Sequence, residues 1–135
     1  MAAHIHRTTF RVVMSEVDVD QIHFTNLFRW MDRGFCEWLA EVDHPFTRLL
    51  ETGPGIPIVD AHCSFHGRIL LDDLIEQATE VGGIGRTSFR SRHTFTRDGQ
   101  TVAQGELVHV CVGRQTRETV PVPGWLRERA VAGAA

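Results

Sequence analysis

The sequence contains no lysine and no tyrosine, and Asn26 is its only asparagine. All 14 basic residues are therefore arginines, a bias typical of a GC-rich genome, and the formal net charge is −3. A charge this close to neutral gives no reason to expect nucleic acid as a partner, although local arginine clusters can still bind phosphates. The charge balance alone decides little about function.

Long apolar runs are also missing. No segment approaches the roughly 18 consecutive apolar residues that a membrane-spanning helix needs. Residues 1–7 lack a basic segment followed by an apolar one, which is the pattern of a secretory signal. We therefore expect a cytoplasmic protein with no membrane partner.

Cysteine is scarce, and its spacing excludes two classes of site. Cys36, Cys63 and Cys111 lack the paired spacing of a zinc site or a redox motif, so we interpret them as buried free thiols. At 135 residues, of which 42% are hydrophobic, the chain fits one domain spanning residues 1–135. We expect its tail after about residue 129 to be disordered.

One long amphipathic helix is predicted from Asn26 to about Val42. Its apolar side chains recur at helical spacing, at Leu27, Met31, Phe35, Trp38 and Val42. A second face carries charged side chains four residues apart, at Arg29, Arg33, Glu37 and Glu41. An acidic loop leads into this helix, and a helix N-terminus attracts negative charge. A reacting carbonyl could use the N–H groups exposed there.

Five strands are predicted around this helix, at Thr8–Met14, Ile56–His66, Leu74–Val81, Arg86–Arg97 and Thr101–Val112. In Ile56–His66 the apolar residues alternate with polar ones, so one face of that strand is expected to pack on the helix. Asp98-Gly99 predicts a hairpin, and a short helix is expected within residues 120–129. This order indicates an α+β fold in which one helix covers an antiparallel sheet.

Several separated segments resemble the 4-hydroxybenzoyl-CoA thioesterase family. The matching segments are the Asp18 loop with Gln21-Ile22, residues 28–32, residues 56–59, Ser64-Phe65, Asp72-Asp73, and residues 86–89 with His93. The resemblance implies a hot-dog fold, which is a curved antiparallel β-sheet wrapped around one long α-helix. It also implies hydrolysis of an acyl-CoA thioester, with a possible hydroxybenzoyl-type acyl group. Because one helix leaves strand faces that a single chain cannot bury, we expect a homodimer or homotetramer with shared pockets.

The resemblance implies that Asp18 is the catalytic carboxylate and that a backbone N–H at the helix start polarises the thioester carbonyl. Thr25 or Phe24 would supply that N–H, because the segment from Asp18 to Asp32 is one residue shorter than is usual in the family. Gln21 also stands where the family often has glycine. His23 is a further candidate for donating to the carbonyl or positioning water. Glu16 and Asp20 are interpreted as solvated acids or as groups that tune the charge of Asp18.

Other residues are candidates for binding the substrate. Helical spacing puts Asp32 at the border of the apolar stripe, where it would face a pocket or a subunit contact or would be a surface acid. Its family counterpart holds a substrate hydroxyl. His62 and Val59 are expected to line the pocket or a subunit interface. Arg86, Thr87 and Ser88 begin the strand that contacts the nucleotide end of coenzyme A in the family, and arginine suits phosphate because its donors form a fork. Arg90 and Arg92 fit a solvent-facing sheet surface at least as well.

A metal site is not expected. Asp60, His62 and His66 lie on one strand face, but His66 would be about 13 Å from His62 on a straight strand, too far for one ion. We therefore predict catalysis without a metal or redox cofactor, with coenzyme A as part of the substrate.

Three other functions stay open on sequence alone. A related thioesterase could act on acyl chains attached to a carrier protein, as in polyketide synthesis. A non-catalytic acyl-CoA-binding protein could keep the pocket without the chemistry. A hot-dog dehydratase is a weaker alternative, because the Asp-and-His motif of that group has no clear place in this sequence.

Overall fold

The computed structural model describes residues 2–132. Its helices are α1 (Thr25–Glu41), α2 (Phe46–Thr52) and α3 (Gly124–Arg129). Its strands are β1 (Ile5–Arg11), β2 (Val17–Asp18), β3 (Gln21–Ile22), β4 (Ile58–Phe65), β5 (Leu74–Gly82), β6 (Ser88–Arg97) and β7 (Gln100–Val110). None of the helices in this range is long and apolar enough to cross a bilayer.

Five strands form one antiparallel sheet in the order β1-β5-β6-β7-β4, and β2 and β3 form a separate small hairpin. The predictions for α1, β5, β6 and β7 are confirmed within about two residues. Asp98 and Gly99 join β6 to β7 with φ angles of 53° and 78°. Two positive φ values in a two-residue loop match the twist of the adjoining strands, as the Asp-Gly signal predicted.

The first strand lies three residues earlier than predicted, at Ile5–Arg11 rather than Thr8–Met14. Arg11 pairs with Leu74, which is the first residue of β5, and beyond it only Val12 still exchanges backbone hydrogen bonds, with Asp72 and Asp73. The segment Met14–Glu16 forms a 3-10 turn instead. Apolar and polar residues go on alternating in the sequence past the last paired residue, so the predicted bounds of the first strand lay too late in the chain.

Helix α1 lies across the sheet and divides the core into two apolar clusters. The first surrounds the N-terminal half of α1 and includes Leu27, Trp30, Met31, Ile75 and Phe95. The second surrounds the C-terminal half and includes Phe35, Trp38, Leu39, Phe89 and Leu126. The predicted apolar stripe of α1 is therefore buried, and its burial fixes the axis of the helix on the sheet.

Strand β4 packs on the helix only in part, through Cys63, which contacts the first apolar cluster. It is an edge strand that pairs only with β7, and along it only Cys63 is even half-buried. Val59 is 60% exposed and Phe65 is 42% exposed. The apolar alternation was read correctly, but α1 covers the central strands and leaves the face of β4 open. This open apolar edge is a feature that one chain does not cover.

The segments after α1 and β7 are more ordered than the sequence suggested. Helix α2 was not predicted; it begins directly after Pro45, a residue that suits a helix start, and it buries Leu49. Helix α3 is confirmed within residues 120–129. The Val131 N–H donates to the carbonyl of Val81 at 2.8 Å, so the ordered chain extends past residue 129. The rest of the predicted disordered tail, residues 133–135, lies outside the described residues.

All three cysteines are free thiols, as predicted. Burial raises the pKa of Cys111 to about 11, whereas Cys36 and Cys63 are only half-buried. Cys111 is therefore the one of the three that matches the expectation of a buried, unreactive thiol.

Two histidines and two glutamates tie β1 to α1. Glu41 accepts from His4 Nε2 at 2.6 Å and from His6 Nδ1 at 2.7 Å. Burial alone would raise the pKa of Glu41, but the hydrogen bonds from both histidines hold it below its ordinary value. His6 Nε2 also lies 2.5 Å from Glu37 Oε2 as an ion pair, in an orientation that does not meet hydrogen-bond geometry. These contacts place the charged face of α1 against the first strand.

A buried polar layer lies beneath the middle of α1, between the two apolar clusters. Its members come from three central strands: Gln77, Thr79, Ser91, His93 and His109. Thr79 Oγ1 lies 2.9 Å from His93 Nδ1, and His93 Nε2 lies 3.0 Å from Ser91 Oγ. Ser91 Oγ in turn lies 2.8 Å from His109 Nε2, whose ring stacks between Phe35 and Phe89. The layer is a continuous hydrogen-bonded chain in the interior.

The two histidines of this layer are neutral. Burial lowers the pKa of His93 to about 3, with smaller contributions from His109 and His6, and burial lowers the pKa of His109 to about 3 as well. Both folded values lie below the ordinary value of 6.5. Between these values the unfolded chain binds more protons than the folded chain, so stability falls as the pH falls through this window.

We expect His93→Gln to flatten the pH dependence of stability. Lowering the pH from 7 to 5 should cost the wild type about 2 kcal/mol for each such histidine, and the variant should lose the share of His93. Urea unfolding at both pH values measures the difference, and exposed His66→Gln serves as the control. An unchanged pH dependence in His93→Gln would contradict this interpretation.

Candidate active site

The hairpin formed by β2 and β3 carries Asp18. Asp18 pairs with Gln21 and Val17 pairs with Ile22, so the two pairs project to opposite faces. Ile22 is buried in the first apolar cluster, and its N–H donates to the carbonyl of Ile69 at 3.0 Å. The opposite face, with Asp18 and Gln21, is exposed. Docking of one face on the core therefore points the carboxylate of Asp18 outward.

The loop of this hairpin contains a strained residue. Val19 has a φ angle of 68°, and its side chain is 95% exposed. A β-branched residue rarely adopts a positive φ, because Cβ then crowds the backbone. No burial of the side chain offsets that cost, so the conformation is imposed by the pairing on either side of the loop.

Helix α1 starts directly after the hairpin, with Phe24 as its N-cap. The hydroxyl of Thr25 lies 2.8 Å from His23 Nδ1, and the N–H of Thr25 points at the same nitrogen at 3.4 Å. Nδ1 therefore accepts, which places the proton of a neutral His23 on Nε2. Within residues 2–132 no acceptor faces the N–H of Phe24. Of the two donors considered from sequence, Phe24 has the free N–H and Thr25 is partly engaged.

Residues 18–24 line one shallow, open depression at the end of the sheet. It brings together three of the four predicted catalytic residues, Asp18, His23 and Phe24. His23 lies opposite Glu16 in the hairpin, because its N–H donates to the Glu16 carbonyl at 2.9 Å. Alternation along paired strands then puts Asp18 and His23 on one face as diagonal neighbours, about 7 Å apart at Cβ.

Glu16 was interpreted as a solvated acid or as a group that tunes the charge of Asp18, and the first of these interpretations is wrong. It is half-buried, its Oε2 accepts from Trp30 Nε1 at 2.8 Å, and its Oε1 accepts from the N–H of Val13 at 3.0 Å. Its carbonyl also accepts from the side chain of Asn26 at 2.7 Å. The signal in the sequence was Trp30 itself, because a buried indole N–H needs an acceptor.

Asp20 matches the expectation of a solvated acid. Its carboxylate is exposed and lies 3.7 Å from the guanidinium of Arg68, which is also exposed. Arg68 in addition donates to Gln21 Oε1 at 3.3 Å. Exposed ion pairs of this kind contribute little to stability.

Asp32 is exposed on α1, one turn before Cys36. Burial is the main cause that raises the pKa of Cys36, and the negative charges of Asp32 and Glu37 raise it further. Asp32 thus lies beside the half-buried thiol at the border of the apolar stripe, as helical spacing predicted. The pocket or subunit contact expected there is not formed by residues 2–132 of a single chain.

The residues expected on β4 do not converge. His62 lies 3.1 Å from Asp60 Oδ2 and 3.8 Å from Glu106 Oε1, on the outer face of the sheet. Val59 sits at an irregularity between Ile58 and Asp60 in the pairing with β7. Among residues 2–132 no group of three potential ligands has an arrangement that could hold a metal ion, and His66 pairs instead with Gln104 at 3.3 Å.

The predicted CoA-binding residues lie at the other end of the sheet. Arg86 and Thr87 precede β6 and Ser88 begins it, whereas the Asp18 hairpin packs near the end of that ten-residue strand. A strand of that length spans roughly 30 Å. One chain therefore does not bring Arg86 to Asp18.

Arg90 and Arg92 belong to the outer sheet surface. They donate to Glu106 at 2.6 Å and 2.9 Å. Burial alone would raise the pKa of Glu106, but the hydrogen bonds from Arg92 and Arg90 lower it. Both arginines therefore bind a carboxylate of their own chain, in agreement with the interpretation that they belong to a solvent-facing sheet surface.

Known proteins resemble this chain in sequence and in fold. A sequence model of the thioesterase-like superfamily matches residues 12–130. A gentisyl-coenzyme A thioesterase structure has a TM-score of 0.81 at 27% identity, covering 90% of this chain and 99% of that one. A 4-hydroxybenzoyl-CoA thioesterase variant with asparagine in place of an aspartate, complexed with 4-hydroxybenzoyl-CoA, has a TM-score of 0.83 at 21% identity over 95% and 100% of the chains.

One curated sequence adds a related name. A 1,4-dihydroxy-2-naphthoyl-CoA hydrolase of Synechococcus elongatus is 29% identical over 73 residues, which is 54% of this chain and 54% of that protein. The structural likenesses confirm the predicted hot-dog fold.

We expect Val19→Gly to stabilise the protein. Glycine adopts positive φ freely, and the strain relieved should exceed the extra entropy lost on folding, giving a gain of about 1 kcal/mol in the free energy of unfolding. Val19→Thr is the matched control, because threonine is polar but still β-branched. A gain in both variants under urea would mean that removing an exposed apolar side chain, and not strain, is responsible.

Proposed function

Because the chain belongs to the thioesterase-like superfamily, we propose that it hydrolyses an acyl-CoA thioester with Asp18 as its catalytic carboxylate. The observation that carries this proposal is the depression lined by Asp18, His23 and Phe24 at the start of α1, together with the lack of an acceptor for the Phe24 N–H within residues 2–132. A carboxylate beside a donor that can receive developing negative charge is the minimum that thioester cleavage needs.

In the proposed reaction the thioester oxygen accepts from the N–H of Phe24. The N-terminus of α1 carries partial positive charge, so it stabilises the oxyanion that forms there. Asp18 either attacks the carbonyl carbon, or it removes a proton from a water that does so. In the first route the C–S bond breaks, CoA leaves as a thiolate, and water then hydrolyses the acyl–Asp18 anhydride. In the second route the water adds to the carbonyl carbon, and the resulting tetrahedral intermediate then expels CoA as a thiolate.

His23 is placed to assist either route. With Nδ1 engaged by Thr25, its Nε2–H is a donor beside Asp18. That donor can orient the attacking water or the thioester. The reaction as proposed uses no metal and no redox cofactor, and coenzyme A enters as part of the substrate. We place this activity in the cytoplasm.

We propose a hydroxylated aromatic acid as the acyl group. The relatives described above are named for gentisyl, 4-hydroxybenzoyl and 1,4-dihydroxy-2-naphthoyl thioesters, which all carry a phenolic hydroxyl. The exposed carboxylate of Asp32, at the border of the apolar stripe of α1, is the group proposed to bind that hydroxyl. The same names favour coenzyme A over a carrier protein as the thiol, and an active enzyme over a binding protein.

We propose further that the site is completed by a second copy in a homodimer or homotetramer. Arg86, Thr87 and Ser88 lie too far from Asp18 of their own chain, so they would bind the phosphates of a substrate held at the Asp18 site of a partner. The open apolar face of β4, with Val59, is the surface that such an assembly would cover. Neighbouring His62 would then lie near the contact.

We expect Asp18→Asn to lower kcat by at least about 100-fold, while KM and the melting temperature stay close to wild type. The carboxylate is exposed, so its replacement disturbs no packing. Asp20→Asn is the matched control on the same hairpin and should change kcat little. Near-normal turnover by Asp18→Asn on all of a panel of aliphatic, benzoyl and hydroxybenzoyl esters would remove Asp18 from the mechanism.

We expect the wild type to prefer 4-hydroxybenzoyl-CoA over benzoyl-CoA, and Asp32→Ala to lose most of that preference. A site that hydrogen-bonds a substrate hydroxyl rejects the analogue without it, because its polar group is then left unpaired. Comparing kcat/KM for both esters on both proteins measures the effect. A wild type that prefers long aliphatic esters, with selectivity unchanged in Asp32→Ala, would make Asp32 a surface acid.

A further inference from the structure

We infer that Glu16 is a positioning residue that holds the Asp18 hairpin and the Phe24 N–H in reactive alignment; this inference rests on the proposed function. Glu16 contacts groups from three different parts of the chain. Its carboxylate joins the loop at Val13 to the helix at Trp30, and its carbonyl binds His23 and Asn26. No other residue of the hairpin region makes as many of the hydrogen bonds described above.

The hairpin needs such an anchor because its strands are only two residues long. A two-stranded ribbon of that size has little stability of its own. Ile22 fixes one face on the core, but a single buried side chain does not determine how far the hairpin tilts toward α1. Glu16 is the first residue before β2, so its contacts with α1 set that angle.

The contacts of Glu16 also fix the proposed oxyanion donor. Its carbonyl accepts from the N–H of His23 at 2.9 Å and from Asn26 Nδ2 at 2.7 Å. These two residues flank Phe24 on either side in the sequence, within two positions of it. Because both are tied to one oxygen, the peptide that carries the Phe24 N–H has little freedom to rotate. Asp18 and Phe24 are therefore held relative to each other through Glu16.

The arrangement requires a carboxylate specifically. Each of its two oxygens accepts from a different donor, Oε1 from the N–H of Val13 and Oε2 from Trp30 Nε1. Glutamine has the same shape but only one acceptor oxygen, so its NH₂ group would face one of these donors. Glu16→Gln therefore removes one contact without removing volume. Trp30→Phe removes the contact from the other side.

The test compares two pairs of variants in the full-length protein. Glu16→Gln is matched by Glu118→Gln, the same change at an exposed glutamate that follows β7 and lies outside the depression. Trp30→Phe is matched by Trp38→Phe, because Trp38 is equally buried on the same helix and its Nε1 donates to the carbonyl of His4 at 2.9 Å, far from the hairpin. Both members of a pair undergo the same kind of substitution, but only the first member removes a hydrogen bond that holds the Asp18 hairpin.

We expect Glu16→Gln and Trp30→Phe to lower kcat at least about 10-fold with little change in KM, since small misplacement of reacting groups mainly slows chemistry. The amide of His23 should exchange with solvent at least about 10-fold faster in both, because its acceptor is loosened. Glu118→Gln and Trp38→Phe should leave kcat and that exchange rate within about 2-fold. The acidic limb of the pH–rate profile should persist in Glu16→Gln, because the proposed catalytic carboxylate of Asp18 is unchanged.

Three results would overturn the inference. One is wild-type kcat and wild-type His23 exchange in Glu16→Gln. Another is loss of the acidic limb in Glu16→Gln, which would make Glu16 the base itself. The third is an equal loss of kcat in Trp38→Phe, which would indicate general destabilisation. Full activity in Asp18→Asn would instead defeat the proposed function, and the exchange measurement would still report whether Glu16 holds the hairpin.

Discussion

The close approach of α1 to the sheet at Gly34 is the constraint on which the other features depend. A Cβ atom at this position would lie 2.5 Å from Gln77 Nε2 and 2.5 Å from Thr79 Oγ1, so only glycine allows the helix to lie this low. The close approach brings the helix within reach of the polar side chains that the sheet presents there, between the two apolar clusters. Helix and sheet meet through hydrogen bonds at the centre and through apolar packing on both sides.

Trp30 connects this contact between helix and sheet to the candidate site. Its carbonyl accepts from Gln77 Nε2 at 2.8 Å, and its indole N–H donates to Glu16 at 2.8 Å. One residue therefore connects the buried polar layer to the segment that precedes Asp18. One contact of Trp30 sets the position of the helix on the sheet, and the other sets the position of the hairpin on the helix. The reactive groups lie at the surface, but contacts in the interior determine where they are.

Sequence patterns predicted the parts of this structure that are set locally. The spacing of Leu27, Met31, Phe35 and Trp38 located α1, and Asp98-Gly99 located the hairpin between β6 and β7. Periodicity failed where the answer depended on a distant partner. It could not show that α1 covers β4 only near Cys63, nor that β1 ends where β5 begins. The role of Glu16 was missed for the same reason, since its indole partner is 14 residues away and alternation along the loop carries no record of it.

A single chain supplies the groups for thioester cleavage but not the environment that makes them effective. Asp18 and the Phe24 N–H face an open depression, and a donor acting on an oxyanion in water is far weaker than the same donor in a dry site. The apolar face of β4 is also incomplete in a single chain, because its side chains are exposed to water although their burial would be favourable. A second copy that covered the depression and the edge together would remove both defects with one contact, which is why we place the complete site in the proposed oligomer.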